Sequence, residues 1–103
     1  MALLVVVGAT SNCARDSDGA IDGPDATMTE EQPGLFRSAA VSADSATAIA
    51  KRRVPGRITK AALEREGGVL LYSFDIRVPG QRGITEVHVD ARTGAILAVE
   101  RER

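Results

Sequence analysis

Three side chains that can bind a metal ion or carry a proton alternate along one short stretch of the chain: Glu86, His88 and Asp90. Alternate residues of a β-strand point to the same face of its sheet, so all three would face one way if this stretch is a strand. The two carboxylates could then orient the imidazole, and the three groups together could hold a divalent ion weakly. A zinc site built from cysteine and histidine is excluded, because the sequence has one histidine and one cysteine, Cys13.

The same stretch has no recognisable reaction centre around it. Catalysis needs a nucleophile with a base, paired carboxylates or a metal ion. Ser73 could face His88 across a sheet, but no nucleophile-elbow pattern surrounds it. We therefore predict that the protein is not an enzyme and has no catalytic residues, no cofactor and no metal ion. On this interpretation Glu86, His88 and Asp90 form a solvated strand face. The alternative is a sensor domain that binds a small ligand or a metal ion through these three residues.

Length and composition limit the chain to one small domain. The chain has 103 residues, of which 44% are hydrophobic and 3% aromatic, and its formal net charge is −1. This length accommodates one domain rather than two. So few aromatic residues cannot form a surface on which the bases of single-stranded nucleic acid stack. A chain without net positive charge is also poorly suited to binding the phosphate backbone of a nucleic acid. We therefore expect no nucleic-acid partner.

The charges divide the chain near Val41. Residues 1–41 contain two basic and six acidic residues, whereas residues 42–103 contain eleven basic and eight acidic ones. Residues 14–41 are rich in Asp, Gly, Pro, Thr, Ser and Glu, and their large apolar residues have no period. Such a segment cannot bury enough surface to offset its ordering entropy. The sequence therefore predicts a flexible acidic linker over residues 14–41 and a folded domain over residues 42–103.

An apolar run at residues 2–9 is shorter than the roughly 20 residues that a membrane-spanning helix needs. Its length is typical of the apolar core of a secretory signal peptide. No basic residue precedes it, and Asn12 stands before Cys13 where a lipoprotein signal has a small residue. We predict a signal-like segment over residues 1–13 and an extracytoplasmic location in the periplasm, the cell envelope or the medium. Cys13 is the candidate lipid attachment site and would tether the N-terminus to a membrane; a buried β-strand is the alternative for the apolar run.

The folded part begins with a helix and continues with strands. Ser42 is a good N-cap, Asp44 lies in the first turn, and Pro55 with Gly56 ends the helix. After Gly56 the spacing of apolar residues changes from the helical period to alternation. The glycine pair after residue 66 indicates a hairpin turn. The predicted strands are residues 57–66, 69–78, 84–90 and 95–99.

The strand at residues 69–78 is the predicted centre of the core. Its larger apolar side chains fall on one face: Leu70, Tyr72, Phe74, Ile76 and Val78. A helix followed by hairpin-connected strands is typical of an α+β fold. We predict one N-terminal helix packed on a three- to four-stranded antiparallel sheet, whose other face is half exposed or covered by a partner.

Several segments of the folded part together resemble a known family. They are residues 42–46 with Ala50, 54–56, 63–64, Tyr72 and Phe74, and 87–96, the last of which contains a Val-Asp-x-x-Thr-Gly turn. In order and spacing they are similar to the PepSY domain, a module of metallopeptidase propeptides, spore-germination proteins and small exported proteins. The resemblance implies a non-catalytic extracytoplasmic binding module that regulates or inhibits a protease. It also implies a protein partner, such as a peptidase.

Overall fold

The computed structural model describes residues 23–102, which form one α-helix, one short 3-10 helix and five strands. In chain order these elements are β1 (Met28–Glu30), the 3-10 helix Leu35–Ser38, α1 (Ala43–Arg53), β2 (Arg57–Glu66), β3 (Val69–Arg77), β4 (Ile84–Asp90) and β5 (Ile96–Glu102). The signal-like segment, Cys13 and the first part of the predicted linker lie outside the described residues. None of the helices within residues 23–102 has the length and apolar character that crossing a bilayer requires.

Helix α1 begins at the predicted cap and packs closely on the sheet. The Ser42 hydroxyl accepts a hydrogen bond from the backbone N–H of Ser45 at 3.1 Å, which satisfies one of the free donors of the first turn. Ala46 and Ala50 are completely buried, because small side chains let the helix approach the strands. Gly56 then lets the chain turn into β2, since a Cβ there would lie 2.2 Å from the carbonyl oxygen of Arg77.

The five strands form one sheet in the order β1-β2-β3-β4-β5. The neighbours from β2 to β5 are antiparallel, as the sequence predicts, but β1 pairs with β2 in parallel. The sheet is therefore mixed and has five strands rather than three or four. Strand β1 has three residues and no apolar alternation, so local pattern could not reveal it. Its place depends on long-range hydrogen bonds that extend the pairing at both ends, from Ala26 N to Ile58 O and from Glu31 N to Leu63 O.

Residues 23–41, which the sequence assigned to the flexible linker, pack on the domain in this structure. Leu35 is 6% exposed and belongs to the hydrophobic core. The Asp25 carboxylate accepts hydrogen bonds from Lys51 Nζ at 2.7 Å and from the backbone N–H of Ile58 at 3.0 Å. The structure thus differs from the expected boundary at residue 42. The reason is that a few well-placed residues make contacts that the average composition of the segment does not indicate.

The core lies between α1 and the sheet, on the predicted face of β3. Tyr72 and Phe74 are 1% and 0% exposed, and their ring centroids lie 6.4 Å apart. Val87 and Val89 of β4 are also completely buried. Both aromatic side chains are therefore core residues, as the alternation predicts.

The two tight turns also follow the sequence, whereas the end of β5 does not. Gly67 and Gly68 join β2 to β3 with positive φ values of 56° and 84°. Glycine adopts such values without steric cost. Gly94 has a φ of 84° in the turn before β5. Strand β5 was expected to end at residue 99, but it continues to Glu102 opposite Ile84. Charged residues therefore extend the sheet because β4 is long enough to pair with them.

Candidate functional site

The face of the sheet opposite α1, here called the open face, carries most of the side chains that could do chemistry. Register and alternation place these residues on it: Lys60, Ala62, Glu64, Leu71, Ser73, Asp75, Ile84, Glu86, His88, Asp90, Ala98, Glu100 and Glu102. The buried core cluster contains none of them. Among residues 23–102, no helix packs over this face. The prediction that Glu86 and His88 share a face opposite Val87 and Val89 is confirmed.

Three polar side chains meet at the centre of the open face. One carboxylate oxygen of Glu86, Oε2, accepts a hydrogen bond from the Ser73 hydroxyl at 3.1 Å and lies 3.1 Å from His88 Nε2. Ser73 and His88 are direct cross-strand neighbours, and both side chains contact the same carboxylate oxygen. The Ser73 hydroxyl donates its proton to Glu86, whereas the hydroxyl of a Ser–His pair donates to the imidazole.

Asp90 makes a different set of hydrogen bonds from Glu86 and His88. Its Oδ1 accepts hydrogen bonds from the backbone N–H groups of Arg92 at 2.7 Å and Thr93 at 3.1 Å. An aspartate that satisfies the backbone two and three residues later is a common turn stabiliser. The structure therefore brings Glu86 and His88 together, and assigns the third residue of the proposed ligand set to the β4–β5 turn.

A cluster of three carboxylates, which the local sequence pattern did not predict, lies beside the central group. Oxygens of Glu86, Glu100 and Glu102 all lie within 4.8 Å of one another. Glu86 and Glu100 are cross-strand partners, and like charges directly opposite each other are unfavourable in a sheet. The alternation of Glu100 and Glu102 was the available signal. It was overlooked because β5 was expected to end before them.

Two more carboxylates on the open face are held in conditions that disfavour their charged forms. Burial raises the pKa of Glu64, and the neighbouring carboxylates of Glu66 and Glu31 raise it further. Burial also raises the pKa of Asp75, and the negative charge of Glu86 adds to this effect. An added positive charge near these groups would reduce the repulsion that the neighbouring carboxylates cause.

A match to a protein family covers most of the fold. The family model described as the peptidase propeptide and YPEB domain, PepSY, matches residues 40–100. The matched range includes α1, β2, β3, β4 and most of β5, but neither β1 nor the 3-10 helix. No curated protein matches the chain, and no solved structure matches it.

Proposed function

This chain belongs to the PepSY family, and from that membership we propose that it is a non-catalytic extracytoplasmic binding module that regulates or inhibits a peptidase. PepSY domains are associated with peptidase propeptides and protease regulation, and they are generally non-catalytic. They occur in extracytoplasmic proteins. A peptidase is therefore the class of protein partner that the family favours.

The single observation that carries the proposal is the family match across α1 and four of the strands. The open face is consistent with a binding role, because it concentrates carboxylates without an opposing layer within residues 23–102. The geometry at Ser73, Glu86 and His88 supports a non-catalytic role, since the Ser73 hydroxyl donates to the Glu86 carboxylate. A partner that brings basic side chains to this face would find complementary charge.

For the N-terminal part we propose the organisation that its composition indicates. Residues 1–13 act as an export signal, and the acidic residues that follow connect this segment to the domain. Cys13 is the candidate position of a lipid anchor, which would hold the domain at a membrane surface. Replacing Cys13 with Ala and fractionating the producing cells tests the anchor. Release of the exported protein from the membrane supports it, and an unchanged distribution contradicts it.

The regulatory role is tested by measuring peptidase activity directly. The full chain carries one cysteine, so the recombinant protein can be immobilised through Cys13 with its domain exposed. Envelope and secreted fractions of the producing cell are passed over this matrix, and hydrolysis of labelled casein is measured in the flow-through and the eluate. We expect a peptidase to be retained, and the soluble chain to change its activity.

A charge reversal on the open face provides the matched variant. Glu64→Lys reverses a charge on the open face, whereas Asp44→Lys makes the same change at the exposed start of α1. We expect the first variant to weaken retention and regulation of the peptidase and the second to leave both unchanged. Failure of the wild-type chain to retain or affect any peptidase would contradict the proposed function.

A further inference from the structure

Strand β5 offers a free edge at one side of the sheet. Within residues 23–102 it pairs with β4 alone. Residues 98–102 are in continuous register with β4, from Ala98 opposite His88 to Glu102 opposite Ile84, and the irregularity in the pairing lies before them. The outward N–H and C=O groups of an edge strand can pair with another strand. This part of β5 is therefore geometrically able to accept one.

The side of β5 that faces α1 is apolar and basic. A hollow of about 300 Å³ lies there. Its walls come from the end of α1, the β3–β4 loop, β4 and β5: Arg53, Val54, Pro55, Val78, Gln81, Thr85, Val99 and Arg101. Arg53 and Arg101 are exposed, and neither forms an ion pair with another of the described residues.

The opposite side of β5 is acidic. Glu100 and Glu102 point to the open face and meet Glu86 there, with oxygens of all three within 4.8 Å of one another. Edge strands often carry charges that prevent association, but here each side of the strand gathers charges of one sign. Arg101 lies between the two glutamates in sequence and on the other side of the sheet. The two sides of β5 thus differ in charge, with Arg53 and Arg101 on one side and Glu86, Glu100 and Glu102 on the other.

We infer that β5 binds an extended segment of a partner protein as a sixth strand, whose side chains alternate between acidic and basic residues. The acidic side chains face Arg53 and Arg101 beside α1, and the basic ones face the three glutamates on the open face. Main-chain hydrogen bonds supply affinity in such strand addition, and alternate side chains supply specificity. The inference rests on the proposed function only in taking a protein as the partner.

A partner segment fits this edge better than a second copy of the chain does. If two copies paired antiparallel through β5 about a two-fold axis normal to the sheet, both α1 helices would lie on the same side. Arginines would then meet arginines and glutamates would meet glutamates, which is unfavourable. Val99 is 36% exposed on the same edge, and a partner strand that carries apolar residues beside its charges would cover it.

Two synthetic peptides of equal composition test the inference. Both have about eight residues, an ordinary strand length, and contain equal numbers of Glu and Lys with blocked ends. In the first, Glu and Lys alternate, so an extended conformation places each charge on its own face. In the second, two Glu are followed by two Lys and so on, so each face of the extended peptide carries both kinds of charge. Binding to the full chain is measured by amide chemical-shift titration at low salt.

We expect the alternating peptide to bind about tenfold more tightly than the paired one, through several cross-strand charge pairs. Its shifts should centre on the amides of residues 98–102. Arg101→Gln, and Glu100→Gln combined with Glu102→Gln, should each weaken binding. The matched controls Arg37→Gln and Glu66→Gln make the same kinds of change away from β5 and should leave binding unchanged.

N-methylation distinguishes strand addition from simple charge attraction. Only alternate N–H groups of an added strand point to the protein, so of two alternating peptides methylated at odd or at even positions, one should lose binding and the other keep it. Equal binding of both, equal affinity for the alternating and paired sequences, or dimerisation through β5 would overturn the inference. Such results would leave peptidase regulation through the open face intact, whereas loss of peptidase regulation would not affect the peptide results.

Discussion

The phenol of Tyr72 donates a hydrogen bond to the backbone carbonyl of Val41 at 2.6 Å. Tyr72 lies at the centre of β3, and burial raises its pKa. Val41 precedes α1, and its own N–H donates to the carbonyl of Ala91. The segment before the helix is therefore attached both to the middle of the sheet and to the β4–β5 turn. This attachment means that the folded unit begins before Ser42.

The first prediction concerns the N-terminal boundary of the folded unit. A chain that starts at Gly23 should keep the thermal stability of the full chain, because it retains β1 and the 3-10 helix. A chain that starts at Ser42 should lose about 2–5 kcal/mol of unfolding free energy or more, because it lacks Leu35 and the β1 pairing. Urea denaturation followed by circular dichroism measures both. Equal stability of the two shortened chains would contradict a folded unit that begins before Ser42.

The second prediction tests the core assignment on β3. Phe74→Ala should cost about 3–5 kcal/mol, because the ring is completely buried and its removal leaves a cavity. Val69→Ala on the same strand removes an apolar side chain that is 42% exposed, and it should change stability by about 0.5 kcal/mol or less. Thermal and urea melts of both variants provide the measurement. A Phe74→Ala protein that unfolds at the same temperature and urea concentration as the wild type would show that the ring does not stabilise the core.

The third prediction concerns how the free energy of unfolding changes at acid pH. Burial alone would raise the pKa of Asp25, but hydrogen bonds from Lys51 and Ile58 and the nearby positive charges lower it below 3.8. A carboxyl whose pKa is lower in the folded state stabilises the fold above its unfolded pKa, and this contribution disappears as the pH falls through the folded pKa. Asp25→Asn should therefore be less stable than the wild type near neutral pH.

The difference between Asp25→Asn and the wild type should shrink as the pH falls below 3.8. Urea denaturation at a series of pH values measures it. Lys51→Gln is the companion variant, because it removes the main side-chain partner of Asp25 and leaves the Ile58 contact. It should lose part of the same pH-dependent contribution. A stability difference that does not change with pH would contradict the role assigned to the carboxylate.

The fourth prediction has the opposite sign and concerns the open face. Burial and the charge of Glu86 raise the pKa of Asp75 above 3.8. Ionisation of such a group opposes folding at neutral pH, and this penalty is relieved as the pH falls through the folded pKa. Asp75→Asn should therefore be more stable than the wild type near pH 7 and should lose that advantage in acid. The same urea series measures it, and a variant less stable than the wild type at neutral pH would refute the prediction.

Local features of the sequence were sufficient to predict the parts of the structure that depend on residues close together in the chain. The Ser42 cap is used, the Gly67–Gly68 turn has positive φ values, and alternation along β3 buries Tyr72 and Phe74. These features were predictable because capping, turn geometry and strand alternation involve residues a few positions apart. The same local pattern placed Glu86 and His88 on one face.

Contacts between distant segments decided the rest. Strand β1 exists because residues 26–31 pair with β2 more than 30 positions away. Asp90 leaves the proposed ligand set because the turn after β4 uses its carboxylate. Glu100 and Glu102 join Glu86 because β5 continues along β4 beyond its apolar residues. The sequence by itself therefore determined the α+β class, the helix and the core face, since these depend on local geometry and periodicity. Only the tertiary structure decided the fifth strand and the carboxylate cluster beside β5, because strand register depends on pairing energies summed over residues far apart in the chain.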